Sequence, residues 1–382
     1  MSKYDDLTNS LFINPRVQID NSSRYWDKTI SCSVESLMDK QESFCKVNEQ
    51  LDQDTINVFG TTQPMANQYL LHLAPGWDSN PNKTPVIMIH GAGLDATSFT
   101  NLYNMGYDGI QQQLVSLGYR VFAVTFSHSH GDNYYQAEQL ADAILRVKAL
   151  CKVEELDLIA HSKGGLAVRI YLSNLSTTPY RGDVRKYIML GTPNLGVDFA
   201  FRNPSISYPV YLSDSNGVIA WDKITYMGLM IDTTDRAIYA DGSFPGQSQM
   251  LYRWDNEYSL DVTQPDWWTS YHGGSGFLSH SRGIDTAIND GGNLIAKLEQ
   301  AGIEPGIELS VLAGDNHMFG LIPGESSGSS DGIVFVDSVF NTDAMVSKGA
   351  KLVTKNTLNV NHLELLFSRK VARWVGQQLS GT

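Results

Sequence analysis

The run Asp157-Leu158-Ile159-Ala160-His161-Ser162-Lys163-Gly164-Gly165 sets a serine among small residues at the end of a short apolar stretch. Read as strand, sharp turn and helix, it pushes the Ser162 hydroxyl forward into a cleft, which is how a nucleophilic serine is presented. The pattern is A-x-S-x-G, with Ala160 where glycine is commoner. A serine hydroxyl attacks poorly by itself. It needs a base to take its proton, an acid to orient that base, and donors for the oxyanion that forms. A serine at such a turn could also serve only as a helix N-cap, so the other groups have to be found.

The chain offers each of them. Val86-Ile87-Met88-Ile89 is an apolar strand that runs into His90-Gly91-Ala92-Gly93. A backbone N–H from this loop and one from the residue after the serine are the natural oxyanion donors, which makes Ala92 and Lys163 the candidates. For the base, Asn361-His362-Leu363 follows the last predicted strand and opens the last helix. His362 stands in the right place among the nine histidines. His90 belongs to the donor loop, and His161 is expected to point away from the nucleophile's face. His128 and His130 are expected to be exposed rather than to line a pocket, and His272, His280 and His317 lie in irregular segments. For the acid there are two rivals, Asp315 directly after a strand and Asp331 in Ser330-Asp331-Gly332. Both fit the chain order serine, acid, histidine.

The elements that must hold these groups alternate between strands and helices, which predicts a mostly parallel sheet covered on both faces. Apolar runs predict strands at 85–89, 119–126, 156–160, 186–190, 308–313 and 351–354, with 68–73 as an edge strand. Helical spacing predicts helices at 98–117, 134–150, 166–174, 286–300 and 363–379, and one around 34–47. Gly324–Gly332 reads as a flexible loop. Between about 194 and 282 the alternation breaks into a stretch rich in tryptophan, tyrosine and glycine. That stretch reads as an insertion, either an apolar cover for the substrate or an irregular subdomain packed on itself.

Composition narrows the class. The chain has 382 residues, 42% hydrophobic and 18% charged, with a net charge of −13. That is an ordinary globular composition, and its sign disfavours nucleic acid and anionic membrane surfaces as partners. No apolar run approaches the roughly 20 residues of a membrane span. No signal peptide is visible, which predicts a cytoplasmic protein, or a secreted one if the chain is a mature form with an added Met. Cys32 and Cys45 could pair, whereas Cys151 reads as a free thiol. No C-x-x-C pair suggests a structural zinc.

Taken together, His90-Gly91 after an apolar strand, Ala160-His161-Ser162-x-Gly164-Gly165, Gly191-Thr192-Pro193, Ser330-Asp331-Gly332-x-Val334 and Asn361-His362-Leu363 resemble the α/β-hydrolases of the bacterial true-lipase group. These pieces span residues 85 to 363. The resemblance implies an α/β-hydrolase domain over 61–382, with residues 1–60 as an N-terminal extension packed on it and a lid or cap at about 194–282. It implies a triad of Ser162, Asp331 and His362, with Asp315 displaced as the acid. The implied activity is hydrolysis of carboxylic esters with apolar acyl groups, as in a lipase or esterase, at a lipid interface or on small esters. An acyltransferase, a thioesterase or a polyester hydrolase would use the same triad. No cofactor is implied. Calcium-dependent members carry aspartate two residues after the histidine, and Glu364 stands there instead. Lys163 replaces the usual Met or Gln, which brings a charge beside the oxyanion donor.

Overall fold

The computed structural model of the chain describes residues 3–12, 18–20 and 25–381. The main sheet has nine strands: β1 (Gln18–Asp20), β2 (Lys28–Ser33), β3 (Gln68–Leu73), β4 (Asn82–Ile89), β5 (Tyr119–Phe126), β6 (Leu156–His161), β7 (Val184–Leu190), β8 (Glu308–Gly314) and β9 (Lys351–Leu358). Their order is β1-β2-β3-β5-β4-β6-β7-β8-β9. From β5 to β9 every pairing is parallel. At the other side β1, β2 and β3 pair antiparallel.

Alternate residues of the central strands feed two separate cores. Ile87, Ile89, Leu158, Ala160 and Met189 pack beneath the helices Asn133–Cys151 and Gly164–Leu172. Val86, Met88, Ile159, Ile188 and Leu190 pack on the other face against Ile110–Ser116 and Arg369–Ser380. Strands buried on both faces read as unbroken apolar runs, which is why these were legible. The long helix starts where Asp132 accepts from the Tyr134 N–H and ends at Lys152 in the left-handed region.

Several expectations are corrected. β3 is not an edge strand: it lies between β2 and β5 and all six of its residues are buried. The expected helix at 34–47 is only a turn of 3₁₀ helix at Glu35–Leu37. The expected helix 98–117 survives only as Ile110–Ser116. A Cβ on Gly109 would lie 1.9 Å from the Phe99 carbonyl oxygen, so the chain crosses itself there and cannot continue a helix. The expected helix 286–300 is two helices, Ile284–Asp290 and Leu294–Ala301, broken at Gly292 with φ +65°. The closing helix starts at Arg369 after a separate 3₁₀ turn at Glu364–Leu366. Cys32 and Cys45 are free thiols.

Residues 199–282 build their own small unit, in which Lys223–Tyr226, Leu229–Asp232, Gly274–Ser275 and Ser279–Ser281 form a four-stranded antiparallel sheet. Phe201, Trp221, Tyr239 and Tyr271 make a separate apolar core with Ile284 and Ala287 of the following helix.

Candidate active site

The strand ends decide where chemistry could occur. Ile89 lies beside Ala160, and His161 lies beside Leu190. The loops leaving β4, β6 and β7 therefore start level at one edge of the sheet, where ligands bind in open α/β sheets. Ser162 leaves β6 with φ +53°, and its N–H donates to the Leu190 carbonyl at 3.0 Å. A non-glycine residue held in this region is strained, and it persists because its surroundings fix it.

Glycines make the turn feasible. A Cβ on Gly164 would lie 2.4 Å from the His90 carbonyl oxygen, and one on Gly165 would lie 2.2 Å from Thr192 Oγ1. On the opposite wall a Cβ on Gly91 would come within 2.9 Å of the Ser162 Cβ. The small residues of the motif are thus set by backbones that nearly touch.

His362 and Asp331 come together. Asp331 Oδ2 lies 2.6 Å from His362 Nδ1, and the His362 N–H donates to the Asp331 carbonyl at 2.9 Å. Asp331 Oδ1 accepts from the N–H groups of Ile333 and Val334 at 3.1 and 2.9 Å. Both side chains are buried. The carboxylate partner assigns the proton to Nδ1, so the lone pair is on Nε2. Asp315 is exposed just past the end of β8, and among the described residues its carboxylate accepts only a 3.5 Å contact from Asn359, so the rival acid is not at this site. The loop that carries Asp331, expected to be flexible, is fastened. The Glu325 N–H donates to the Gly332 carbonyl, Ser330 Oγ to the Glu325 carbonyl, and the Val336 N–H to the Ser329 carbonyl.

Ser162, His362 and Ala92 line one cavity of about 300 Å³. Its far wall is aliphatic and comes largely from the insert, with Val197, Ile206, Val210, Val218, Ile238 and Met250. The insert's tryptophans do not line it: Trp221 is buried in the insert's own core, and Trp254 is buried against Phe335. The Ala92 and Lys163 N–H groups donate to no acceptor among the described residues. Ser162 Oγ likewise makes no hydrogen bond among them, and such bonds often tighten only when substrate binds.

Three side chains depart from expectation. His161 does not point away: its Nε2–H donates to the His362 carbonyl at 3.0 Å, and the two rings lie 4.7 Å apart. Burial holds His161 well below its ordinary pKa, so it acts as a neutral prop for the His362 backbone. His128 and His130 are buried rather than exposed, and His130 lines the cavity. Lys163 turns its charge away from the oxyanion donor. Its Nζ is buried and donates to the Gly131 carbonyl and Gln136 Oε1, both at 2.6 Å. Burial pushes this ammonium down to about 7 and the nearby Glu42 carboxyl up to about 8.

Glu364, at the position where calcium-dependent members of the resembling group carry aspartate, is engaged within its own turn. Glu364 Oε2 accepts from the Asn361 N–H while Asn361 Oδ1 accepts from the Glu364 N–H, so the pair closes the turn on itself. Among the described residues no group of three or more His, Cys, Asp or Glu side chains could hold a metal.

An alternating, mostly parallel sheet with a strained serine after β6 and a paired Asp–His after β8 and β9 defines an α/β-hydrolase. The model of the family described as palmitoyl protein thioesterase matches residues 85–282, and the chain belongs to that family. Triacylglycerol lipases of Pseudarthrobacter phenanthrenivorans and Burkholderia plantarii are each 34% identical to it over 119 residues, which is 30% of this chain. The chain spans about a third of the length of these curated relatives, 35% and 31%. Among solved structures, Bacillus licheniformis lipase BlEst2 in mature form aligns at TM-score 0.41 and 16% identity, covering 78% of this chain and 93% of that one. Naproxen esterase from Bacillus subtilis aligns at TM-score 0.40 and 12% identity, covering 99% of each.

Proposed function

We propose that the protein is a serine carboxylic-ester hydrolase that cleaves esters with apolar acyl groups through an acyl-enzyme on Ser162. The observation that carries this reading is the cavity shared by the strained Ser162 and the Asp331-bound His362. His362 Nε2 takes the Ser162 proton as the hydroxyl oxygen attacks the ester carbonyl. Asp331 holds the Nδ1–H and stabilises the imidazolium that forms. The N–H groups of Ala92 and Lys163 receive the oxyanion. His362 then protonates the leaving alkoxide, the alcohol departs, and water activated by the same nitrogen releases the acid. The aliphatic wall supplied by the insert suits an acyl chain, so the insert acts as a cap over the acyl site. No metal or organic cofactor is needed for these steps.

The test is hydrolysis of p-nitrophenyl esters from acetate to palmitate, with Ser162→Ala beside the wild type. Turnover that rises with chain length and falls by about 10⁴-fold or more in the variant is expected. A variant within tenfold of wild type would sink the mechanism.

A thioester is the second reading, favoured by the family description. The same acyl-enzyme serves both, and an acyltransferase or polyester hydrolase would share it too. A palmitoyl thioester run beside the palmitate ester, with and without added alcohol acceptor, separates them.

The hairpin tips of the insert carry Met227 at 85% and Phe277 at 87% exposure, beside exposed Leu229, Met230 and Trp268. The two tips are tied by the Thr225 N–H donating to the Leu278 carbonyl at 2.7 Å. Such a patch suits a neutral lipid surface. Among the described residues no helix is long and apolar enough to cross a membrane. Met227→Ser with Phe277→Ser should weaken binding to zwitterionic phosphatidylcholine vesicles and leave hydrolysis of soluble butyrate esters intact. Unchanged vesicle binding would refute this part.

A further inference from the structure

The loop that presents the Ala92 N–H does not stand alone. Its Gly93 has φ +67°, and its carbonyl accepts from Asn216 Nδ2 at 3.0 Å. Asn216 belongs to the insert, 123 residues further along the chain. Its carbonyl oxygen and its Oδ1 lie 2.9 and 3.0 Å from His130 Nε2. Both neighbours of Nε2 are oxygens, so Nε2 carries the proton and Nδ1 is left to accept. That acceptor is met by Gln247 Nε2 at 2.7 Å. The bonds then all point one way, from the Gln247 amide to His130, from His130 to Asn216, and from Asn216 to the Gly93 carbonyl.

Each member is itself held. The Gly246 N–H donates to the His130 carbonyl at 2.8 Å, and the His130 ring packs edge-on against Phe244 at 4.7 Å. The Arg236 guanidinium, buried, donates to the carbonyls of Ser215 and Gly217 on either side of Asn216, at 2.8 and 3.0 Å. The fit against the loop is close: a Cβ on Gly93 would lie 3.0 Å from His130 Nε2 and 3.1 Å from Asn216 Nδ2. The Gly93 N–H is caught by the Ser129 carbonyl at 3.3 Å, next to His130 in the chain. Ala92, His130, Asn216 and Gln247 all face the cavity that holds Ser162.

We infer that His130 and Asn216 are positioning residues that set the direction of the Ala92 N–H by fixing the Gly93 carbonyl, so that the insert and the oxyanion loop are ordered together. This rests on the ester-hydrolase reading for its effect on turnover, but not for its effect on the loop. A neutral His130 is required for a one-way relay, and burial, with the charges of His128 and Lys163 adding to it, pushes it down to about 3. The role is reserved for these residues and not for Gln247, which meets only the ring nitrogen remote from Asn216.

The experiment compares Asn216→Leu, His130→Leu and His130→Gln with wild type. His130→Gln retains a donor near the Nε2 position. The kinetic readout is the ratio of kcat/KM for an oxygen ester over that for its thionoester, because sulfur is held less well by oxyanion donors. Both leucine variants should lower kcat and this ratio by about tenfold or more with KM within about threefold, and His130→Gln should recover most of the loss. The second readout is hydrogen exchange of the Gly93 amide. It should quicken by about tenfold in the leucine variants while the amides of β4 stay as in wild type. Unchanged ratio and unchanged exchange would overturn the inference. A wild type that turns over no ester, with exchange quickened as expected, would overturn the ester-hydrolase reading and keep the relay. Should Asn216→Leu fail to fold, the His130 pair decides by itself.

Discussion

At the ends of β4 and β6 the serine and the candidate oxyanion N–H groups leave from neighbouring strands whose last residues lie level. In the insert, the residues that shape the same cavity come from short helices, 3₁₀ turns and loops joined by buried polar contacts. The first region is positioned by backbone ladders and two apolar cores. The second is positioned by side chains: Asp198 Oδ2 accepts from Arg202 at 3.0 Å and from the Tyr271 hydroxyl at 2.7 Å, and Arg202 also donates to the Tyr258 and Ser259 carbonyls. The same cavity thus has a wall set by strand register and a wall set by a polar network. Changes to the former should act on chemistry, and changes to the latter on stability and on which acyl group fits.

The largest expected effect separates the two acids. Asp331→Asn should lower kcat by about 10⁴-fold because the amide favours the wrong imidazole tautomer. Asp315→Asn, at an exposed residue, should stay within about twofold by the same assay. Equal losses would mean that the pairing at 2.6 Å does not decide the base's tautomer.

Next comes the insert's ion pair. Asp198→Ala leaves Arg202 buried with Glu325 at 3.6 Å as its remaining carboxylate. Loss of one partner from a buried pair costs about 3–5 kcal/mol. The urea midpoint should fall accordingly, with the loss appearing first in hydrogen exchange of residues 199–282. Exchange rising equally across the central strands would show that sheet and insert unfold as one.

Acid should weaken both regions. Burial pushes His72 and His130 down to about 3, and His90 and His128 down to about 4. The unfolded chain takes up these protons near pH 6.5, whereas the folded chain does not until pH 3–4. The unfolded state therefore binds more protons across that window, so stability present above pH 6.5 is lost as pH falls toward 4, by several kcal/mol in sum as an order of magnitude. Chemical unfolding at pH 7, 6, 5 and 4 tests this. A flat midpoint would mean that the four rings are not held neutral.

Smaller effects follow on substrate choice. Val210→Trp narrows the aliphatic wall and should lower kcat/KM for palmitate relative to butyrate esters by about tenfold to a hundredfold. Unchanged preference would place the acyl chain elsewhere. Chelation with EDTA should change turnover least of all, within experimental error. A loss restored by calcium alone would show that Glu364 has a role beyond its turn.

Much of the site could be read in advance because its residues sit where regular elements end. Ser162 follows an apolar run, and His362 follows the last strand. Gly164 and Gly165 reveal close backbone approach, since no side chain would fit there. Ala92 and Lys163 follow from the same geometry. The insert gave no such handle. Its buried tryptophans look like a substrate surface by composition, but Trp221 lies in the insert's own apolar core and Trp254 packs on Tyr252, Tyr258 and Phe335, and the cavity wall is made by valine, isoleucine and methionine from scattered turns. Asn216 shows nothing in the sequence, since an asparagine in a loop is ordinary until a histidine and a glycine carbonyl are found on either side of it. His161 was misread because the local strand direction says which way a side chain starts, and not which backbone folds back against it.

Local pattern and short-range sterics determined that this chain alternates strands and helices, that Ser162 sits on a strained turn, and that a histidine after the last strand is available to it. All three show in patterns within a few residues, which a linear chain displays. Which aspartate meets His362, where the Lys163 charge goes, and what walls the cavity were decided only by tertiary structure. Those choices join residues 27 to more than 100 positions apart, and only packing brings them within hydrogen-bonding distance.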